Sequence, residues 1–275
     1  MPPASVIDFS AAVRAPRSAG RVVLAGAGAG EAGLLTLAAR DALKAADVVL
    51  YDDLVDPSVL ALIPAHVERL AVGKRAGQPS TPQGEIVAAL IGHARAGRSV
   101  VRLKGGDPFI FGRGGEETEA LAAAGIAVEI IPGITAALTA AASAGIPLTH
   151  RGVSTAVSLV TAVTRDGELP DLRGLAGPNR TLVVYMGRDA ADRVAAALIA
   201  DRVPAETSVA AIENAGRSSQ RVAVATLETL ATTLAVLAPT GPTLLIVGAV
   251  VDHRIATSPP AGTEPLPADL YFAHG

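Results

Sequence analysis

The chain has 275 residues, enough for two domains of ordinary size. Half of its residues are apolar but only 3% are aromatic, so its core must be built from small aliphatic side chains, and a net charge of −3 offers no electrostatic footprint for nucleic acid. Having no cysteine, it can form no disulfide, thiolate metal site or cysteine nucleophile. The histidines His66, His93, His150, His253 and His274 lack the HxxxH or HExxH spacing of a zinc site, so no metal is expected. Residues 1–20 are rich in Pro, Ala and Ser and lack the apolar core of a signal peptide, and no later run has the length of a membrane span. The expectation is a soluble, cytoplasmic α/β protein. It should have loose tails at 1–20 and 253–275 and two α/β domains at 21–149 and 150–252.

The first predicted strand is Arg21 to Gly26, followed by Gly28, Gly30 and Gly33 and a helix from Leu34 to Ala46. A second strand, Asp47 to Tyr51, ends at Asp52. GxGxxG followed about twenty residues later by an acid is the pattern of a dinucleotide site, so an NAD-dependent oxidoreductase using Gly28, Gly30, Gly33 and Asp52 is one reading. A short helical segment to Ile63 leads to a third strand, Val67 to Val72, which runs into Gly73-Lys74-Arg75 and places two cations at the sheet edge that holds Asp52. Pro82 to Ala96 reads as a helix with proline in its first turn.

Ser99 to Leu103 has the short apolar form of a buried parallel strand. Residues 104–117, KGGDPFIFGRGGEE, fit neither strand nor helix at their start: two glycines permit positive φ or a close approach, and Pro108 stops a ladder. Glu116, Glu117 and Glu119 favour a helix N-terminus, with the helix itself at Glu117 to Ala124. A loop of this kind at the carboxyl end of a strand is where open α/β sheets hold ligands. Arg113, between two glycines, has no obvious partner close by in sequence. Further on are a strand at Ala127 to Ile131, Thr135 with its hydroxyl at a helix start, and a small-residue helix at Ala136 to Ala144 suited to close approach by a ligand or a second helix.

The second half alternates again. Strands are expected at Ala156–Val163, Thr181–Met186, Thr207–Ile212, Gln220–Ala225 and Thr243–Val250, and helices at Ala190–Ile199 and Leu227–Leu237. A hairpin after Asn214-Ala215-Gly216 would make this sheet mixed.

The loop at 104–117 resembles that of the uroporphyrinogen-III C-methyltransferases, members of the tetrapyrrole methylases. Residues 25–37, AGAGAGEAGLLTL, resemble the first loop of that family, usually VGAGPGDPxLLTL, with Ala29 in place of proline. Tyr51-Asp52-Asp53-Leu54-Val55, Gly73-Lys74-Arg75 and Thr149-His150-Arg151 also look like family motifs. Where many relatives carry Thr-Gly-His, this chain has Thr161-Ala162-Val163.

The resemblance implies two α/β domains in a kinked arrangement, S-adenosylmethionine in the cleft between them, and a homodimer. It also implies methylation of uroporphyrinogen III at C2 and C7 to give precorrin-2, a precursor of sirohaem, cobalamin or haem d1. Carried over residue by residue, it assigns cofactor contacts to Ala29, Gly105, Gly106, Asp107, Ile110, Thr135, Ala136, Met186 and Ala215, with Thr243 beside the adenine. Asp52 and Lys74 become proton acceptor and donor, with Arg113 a rival in proton movement. Arg113, Glu116, Arg151 and Met186 become substrate contacts. The chemistry asks for in-line alignment of carbon, methyl and sulfur with water excluded, an acid/base group, and arginine forks for a substrate bearing eight carboxylates. A non-catalytic ligand-binding protein of the same fold and a related precorrin methyltransferase are the remaining readings.

Overall fold

A computed structural model describes residues 20–73 and 81–256. Lys74, Arg75 and nearly all of the two expected tails lie outside the described residues.

Five strands form the first sheet: β1 (Arg21–Gly26), β2 (Val48–Tyr51), β3 (Glu68–Ala71), β4 (Ser99–Lys104) and β5 (Val128–Ile131). All pair in parallel, in the order β3-β2-β4-β1-β5. They are parallel because each connection crosses over through a helix: α1 (Leu37–Lys44), α2 (Pro57–Leu60), α3 (Gln83–Arg95) or α4 (Gly114–Ala123). Alternation along each strand divides the core. Val23, Ala25, Val49, Val101 and Leu103 pack with Leu43 of α1 and Val59 of α2. Val22, Leu24, Val48, Leu50 and Val100 pack on the opposite face with Leu90 of α3 and Leu121 of α4.

After β5 the chain enters α5 (Ala136–Ala144), then a second sheet of β6 (Ser154–Thr161), β7 (Asn179–Tyr185), β8 (Ser208–Glu213), β9 (Arg221–Thr226) and β10 (Thr243–Val247). Its order is β6-β7-β10-β8-β9. The β6–β7 pair is parallel and the others are antiparallel, including the β8–β9 hairpin, so the sheet is mixed as expected. Helices α6 (Ala191–Ala200) and α7 (Leu230–Leu237) cover the face that carries Leu182, Val184, Val209, Ala211 and Leu245. The opposite face, with Val183, Tyr185, Ala210, Ile212 and Ile246, is covered by Ala137, Ala140, Ala141 and Ala144 of α5. The small residues of α5 therefore serve close packing on a sheet, not on a second helix. Because α5 follows the first sheet in the chain but packs on the second, it holds the two sheets together.

Element ends differ from the sequence reading where a local device intervenes. Thr36 caps α1, its side chain accepting the Ala39 N–H at 3.2 Å, so the helix begins at Leu37 and not Leu34. Arg113 adopts a left-handed conformation, φ 57°, and α4 starts at once at Gly114. Gly248, φ 134°, ends β10, and Ala249–His253 continues as a 3-10 turn.

Candidate active site

A cavity of about 550 Å³ lies between the carboxyl edge of the first sheet and loops of the second. The first sheet contributes Ala29 and Gly30 after β1, Asp52 to Leu54 after β2, and Arg102 and Lys104 to Asp107 at the end of β4. Thr135 and Ala136 enter at the start of α5. Tyr185 and Met186 follow from β7, Asn214, Ala215 and Arg217 from the turn after β8, and Pro242 and Leu244 from around the start of β10.

Strand order creates this edge. With β4 lodged between β1 and β2, the loop after β4 meets the loop after β1: Gly106 N–H donates to Gly28 O at 2.8 Å and Gly28 N–H to Gly106 O at 3.2 Å. Glu31 N–H donates to Gly216 O at 3.1 Å. These contacts do not favour the dinucleotide reading. The Gly28 and Glu31 amides bind neighbouring protein backbone, β2 does not adjoin β1, and the carboxylate of Asp52 is engaged by Arg102.

Of the residues assigned from sequence, Ala29, Asp52, Gly105, Gly106, Asp107, Ile110, Arg113, Thr135, Ala136, Met186 and Ala215 all line the cavity. Asp107 braces its own loop, one oxygen accepting Phe109 N–H at 2.8 Å and the other Gly133 N–H at 3.0 Å. Thr243 is buried outside the lining and donates to Gly241 O at 3.1 Å, while its neighbours Pro242 and Leu244 face the cavity. Arg151 is exposed in the turn before β6 and is not among the lining residues. Lys74 lies outside the described residues. Arg113 is not without a near partner: its Nε and Nη2 donate to the two oxygens of Glu116 at 2.9 and 2.7 Å, because the first turn of α4 brings positions three apart onto one face. That contact raises the Arg113 guanidinium above its ordinary value and lowers the Glu116 carboxyl.

Several site residues were not singled out from sequence. Arg102 sits mid-strand between Val101 and Leu103 yet is 2% exposed, and its guanidinium joins Asp52 to Glu117. Lys104 is equally buried, with Nζ 3.1 Å from Glu117 Oε1 and 3.8 Å from Asp52 Oδ2. Burial, followed by the charge of Arg102, lowers the Lys104 ammonium below the ordinary lysine value, while Asp52 and Glu117 pull it back up. Glu117, read from sequence as a favourable charge at a helix start, is fully buried and also accepts from Gln83 at 2.8 Å. The available signal was a cation inside an apolar strand, which calls for a partner. Arg217 reaches across the cleft, donating to Leu54 O at 2.6 Å with Nε 3.5 Å from Asp56.

The family model for Tetrapyrrole (Corrin/Porphyrin) Methylases matches residues 21–231. The chain belongs to the tetrapyrrole methylase family. A siroheme synthase of Edwardsiella ictaluri is 50% identical to it over 250 residues, which cover 90% of this chain and 52% of that protein. This tetrapyrrole methylase spans about half the length of the curated relatives it matches. Among solved structures, the uroporphyrin-III C-methyltransferase of Thermus thermophilus complexed with S-adenosyl homocysteine is 43% identical. The match has a TM-score of 0.75 and covers 85% of this chain and all of that one. A cobalt precorrin-4 methyltransferase is 26% identical with a TM-score of 0.76, covering 87% of this chain and 99% of that one. The two-sheet architecture is thus shared with methyltransferases that differ widely in sequence.

Proposed function

We propose that this chain methylates uroporphyrinogen III at C2 and C7, with S-adenosylmethionine as donor, to give precorrin-2. The observation that carries this reading is the cavity between the sheets, walled on one side by the Lys104–Asp107 turn and on the other by Met186 and Ala215. It is supported by the likeness along the whole length of a uroporphyrin-III C-methyltransferase. The residues present suit an adenosyl sulfonium compound. Apolar walls of Leu54, Val72, Ile110 and Leu244 stand beside polar groups such as Asp52, Asp107, Thr135 and Asn214, a mixture that suits an adenosyl group carrying a charged amino acid end. A Cβ placed on Gly106 would meet nothing nearer than 3.8 Å, so that glycine leaves room in the cleft.

When bound, S-adenosylmethionine supplies the electrophilic methyl group. The chain's part is to align the acceptor ring carbon, keep water out and manage one proton. The new bond forms from the π electrons of the ring carbon as the methyl–sulfur bond breaks. The positive charge left on the macrocycle is discharged by loss of a ring proton, for which Asp52 is the acceptor in this reading. Arg113 and Arg151 offer forks to the substrate's carboxylates, with Glu116 and Met186 as further contacts. Lys74 is assigned as proton donor in rearrangement of the macrocycle, a step in which the proton added at one position is matched by one lost from another.

Incubation with uroporphyrinogen III and S-adenosylmethionine should generate the fluorescence of the oxidised dimethylated product. Tight S-adenosylhomocysteine binding with no NADH binding separates this reading from a dehydrogenase, and binding without methyl transfer would leave a ligand-binding protein. Function as a homodimer in the cytoplasm belongs to the same proposal and is checked by sedimentation at micromolar concentration and by fractionation.

A further inference from the structure

Asp52, Arg102, Glu117 and Lys104 close a ring of alternating charge. Arg102 Nη2 donates to Asp52 Oδ1 and Arg102 Nε to Glu117 Oε1 at 3.2 Å. Lys104 Nζ donates to the same glutamate oxygen at 3.1 Å and lies 3.8 Å from Asp52 Oδ2. Of the two carboxylates, Asp52 reaches the cavity, whereas Glu117 is fully buried behind it.

We propose that Glu117 is a positioning residue for proton transfer: by sharing Arg102 and Lys104 with Asp52, it sets how readily the Asp52 carboxylate takes up the proton released by the methylated macrocycle. The inference rests on Asp52 being the acceptor, as read above. Two cations directed at one carboxylate would hold it ionised and make it a poor base. A second carboxylate bound to both cations offsets much of that charge, and its burial keeps water from screening the effect. Among the described residues, the charged groups that act on Glu117 are Arg102 and Lys104 on β4 and Arg113 at the start of its own helix, with Asp52 on the far side of the two cations and Glu116 turned outward to Arg113. Gln83 on α3 adds a neutral donor, and Arg165, in the loop after β6, acts on Glu116.

The test is the pH profile of kcat/KM for methyl transfer to uroporphyrinogen III, with S-adenosylhomocysteine affinity measured alongside. Glu117→Gln keeps the shape and an acceptor oxygen but removes one negative charge. Its acid limb should move down by about one pH unit and its plateau rate fall about tenfold, with S-adenosylhomocysteine affinity held within about twofold. Lys104→Gln removes a positive charge and should move the limb up. Opposite shifts support the proposal, because a loosened fold does not give them. A slower Glu117→Gln enzyme with its limb unmoved overturns it. Should Glu117→Gln not fold, the limb of Lys104→Gln decides, and no upward shift overturns the proposal. Asp52→Asn tells the two failures apart. If that variant keeps activity and the limb, the acceptor assignment itself is wrong; if it is inactive while Glu117→Gln keeps its limb, only the role of Glu117 falls.

Discussion

The hydroxyl of Tyr185, at the end of β7, lies 2.6 Å from Thr135 Oγ1 and accepts the N–H of Ala137 at 3.0 Å. A side chain of the second sheet thus satisfies an otherwise open amide at the start of α5, beside two residues of the cavity lining. Tyr185→Phe removes both contacts and leaves a buried N–H unpaired, at a cost of about 1–3 kcal/mol in unfolding free energy. Because Thr135 and Ala136 lose their anchor, S-adenosylhomocysteine affinity should also drop severalfold. Urea unfolding and calorimetric titration check the two effects, and unchanged values in both would refute the anchoring role.

Lys104 and Tyr185 pull alkaline stability in opposite directions. The folded-state value of Lys104 lies below the ordinary lysine value of 10.5, with burial the main cause. Between that lowered value and 10.5 the unfolded chain holds more protons than the folded one, so this residue's contribution to stability rises with pH. Tyr185 is raised above 10.0 by burial, so from about that pH upward the folded chain holds the extra proton and its contribution falls. Urea unfolding of wild type and Lys104→Met, compared at pH 8 and just below 10, should show the difference moving in favour of wild type. For Tyr185→Phe compared above pH 10, the wild-type advantage should shrink.

Arg113 pairs with Glu116 on the surface, its side chain 56% exposed, and exposed pairs of this kind contribute little to stability. The guanidinium is therefore free to leave Glu116 for a substrate carboxylate. Arg113→Ala should leave unfolding and S-adenosylhomocysteine affinity nearly unchanged and reduce the rate at limiting uroporphyrinogen III about ten- to hundredfold. Arg113→Lys, which keeps the charge but loses the fork, should recover part of that rate. Equal losses of cofactor affinity and rate in Arg113→Ala would place it against the cofactor instead.

Gly133 sits where three backbones meet. A Cβ there would come within 2.2 Å of Gly106 O and 2.7 Å of Gly26 Cα, atoms that cannot swing aside. Gly133→Ala should cost at least the ~1–3 kcal/mol of an overpacked core and weaken S-adenosylhomocysteine binding about tenfold or more, since Gly106 would be displaced. Gly84→Ala, on the open side of α3 with nothing within 4 Å, is the control and should be neutral or stabilising by up to ~1 kcal/mol. Thermal melts and titration of both variants provide the comparison.

The order of strands and helices along the chain, the extent of α5 at Ala136–Ala144 and the ligand-holding character of the loop after β4 could be read from residues alone. Each depends on short-range chemistry: apolar alternation, glycine and proline as breakers, and acids at a helix start. Most of the residues around the cavity were named only through the family resemblance, since residue chemistry alone points to the strand-end loops and not to the individual contacts. Tertiary structure alone decided that β4 enters between β1 and β2, which joins Gly28 to Gly106 and brings Arg102 beside Asp52, fifty positions away. It also decided that α5 covers the second sheet, and that Glu117 faces inward to two cations while Glu116 faces outward to Arg113. No periodicity encodes these choices. Strand order follows from which apolar faces can be buried together, and a charge in a strand is tolerated only where the completed sheet supplies its counter-charge.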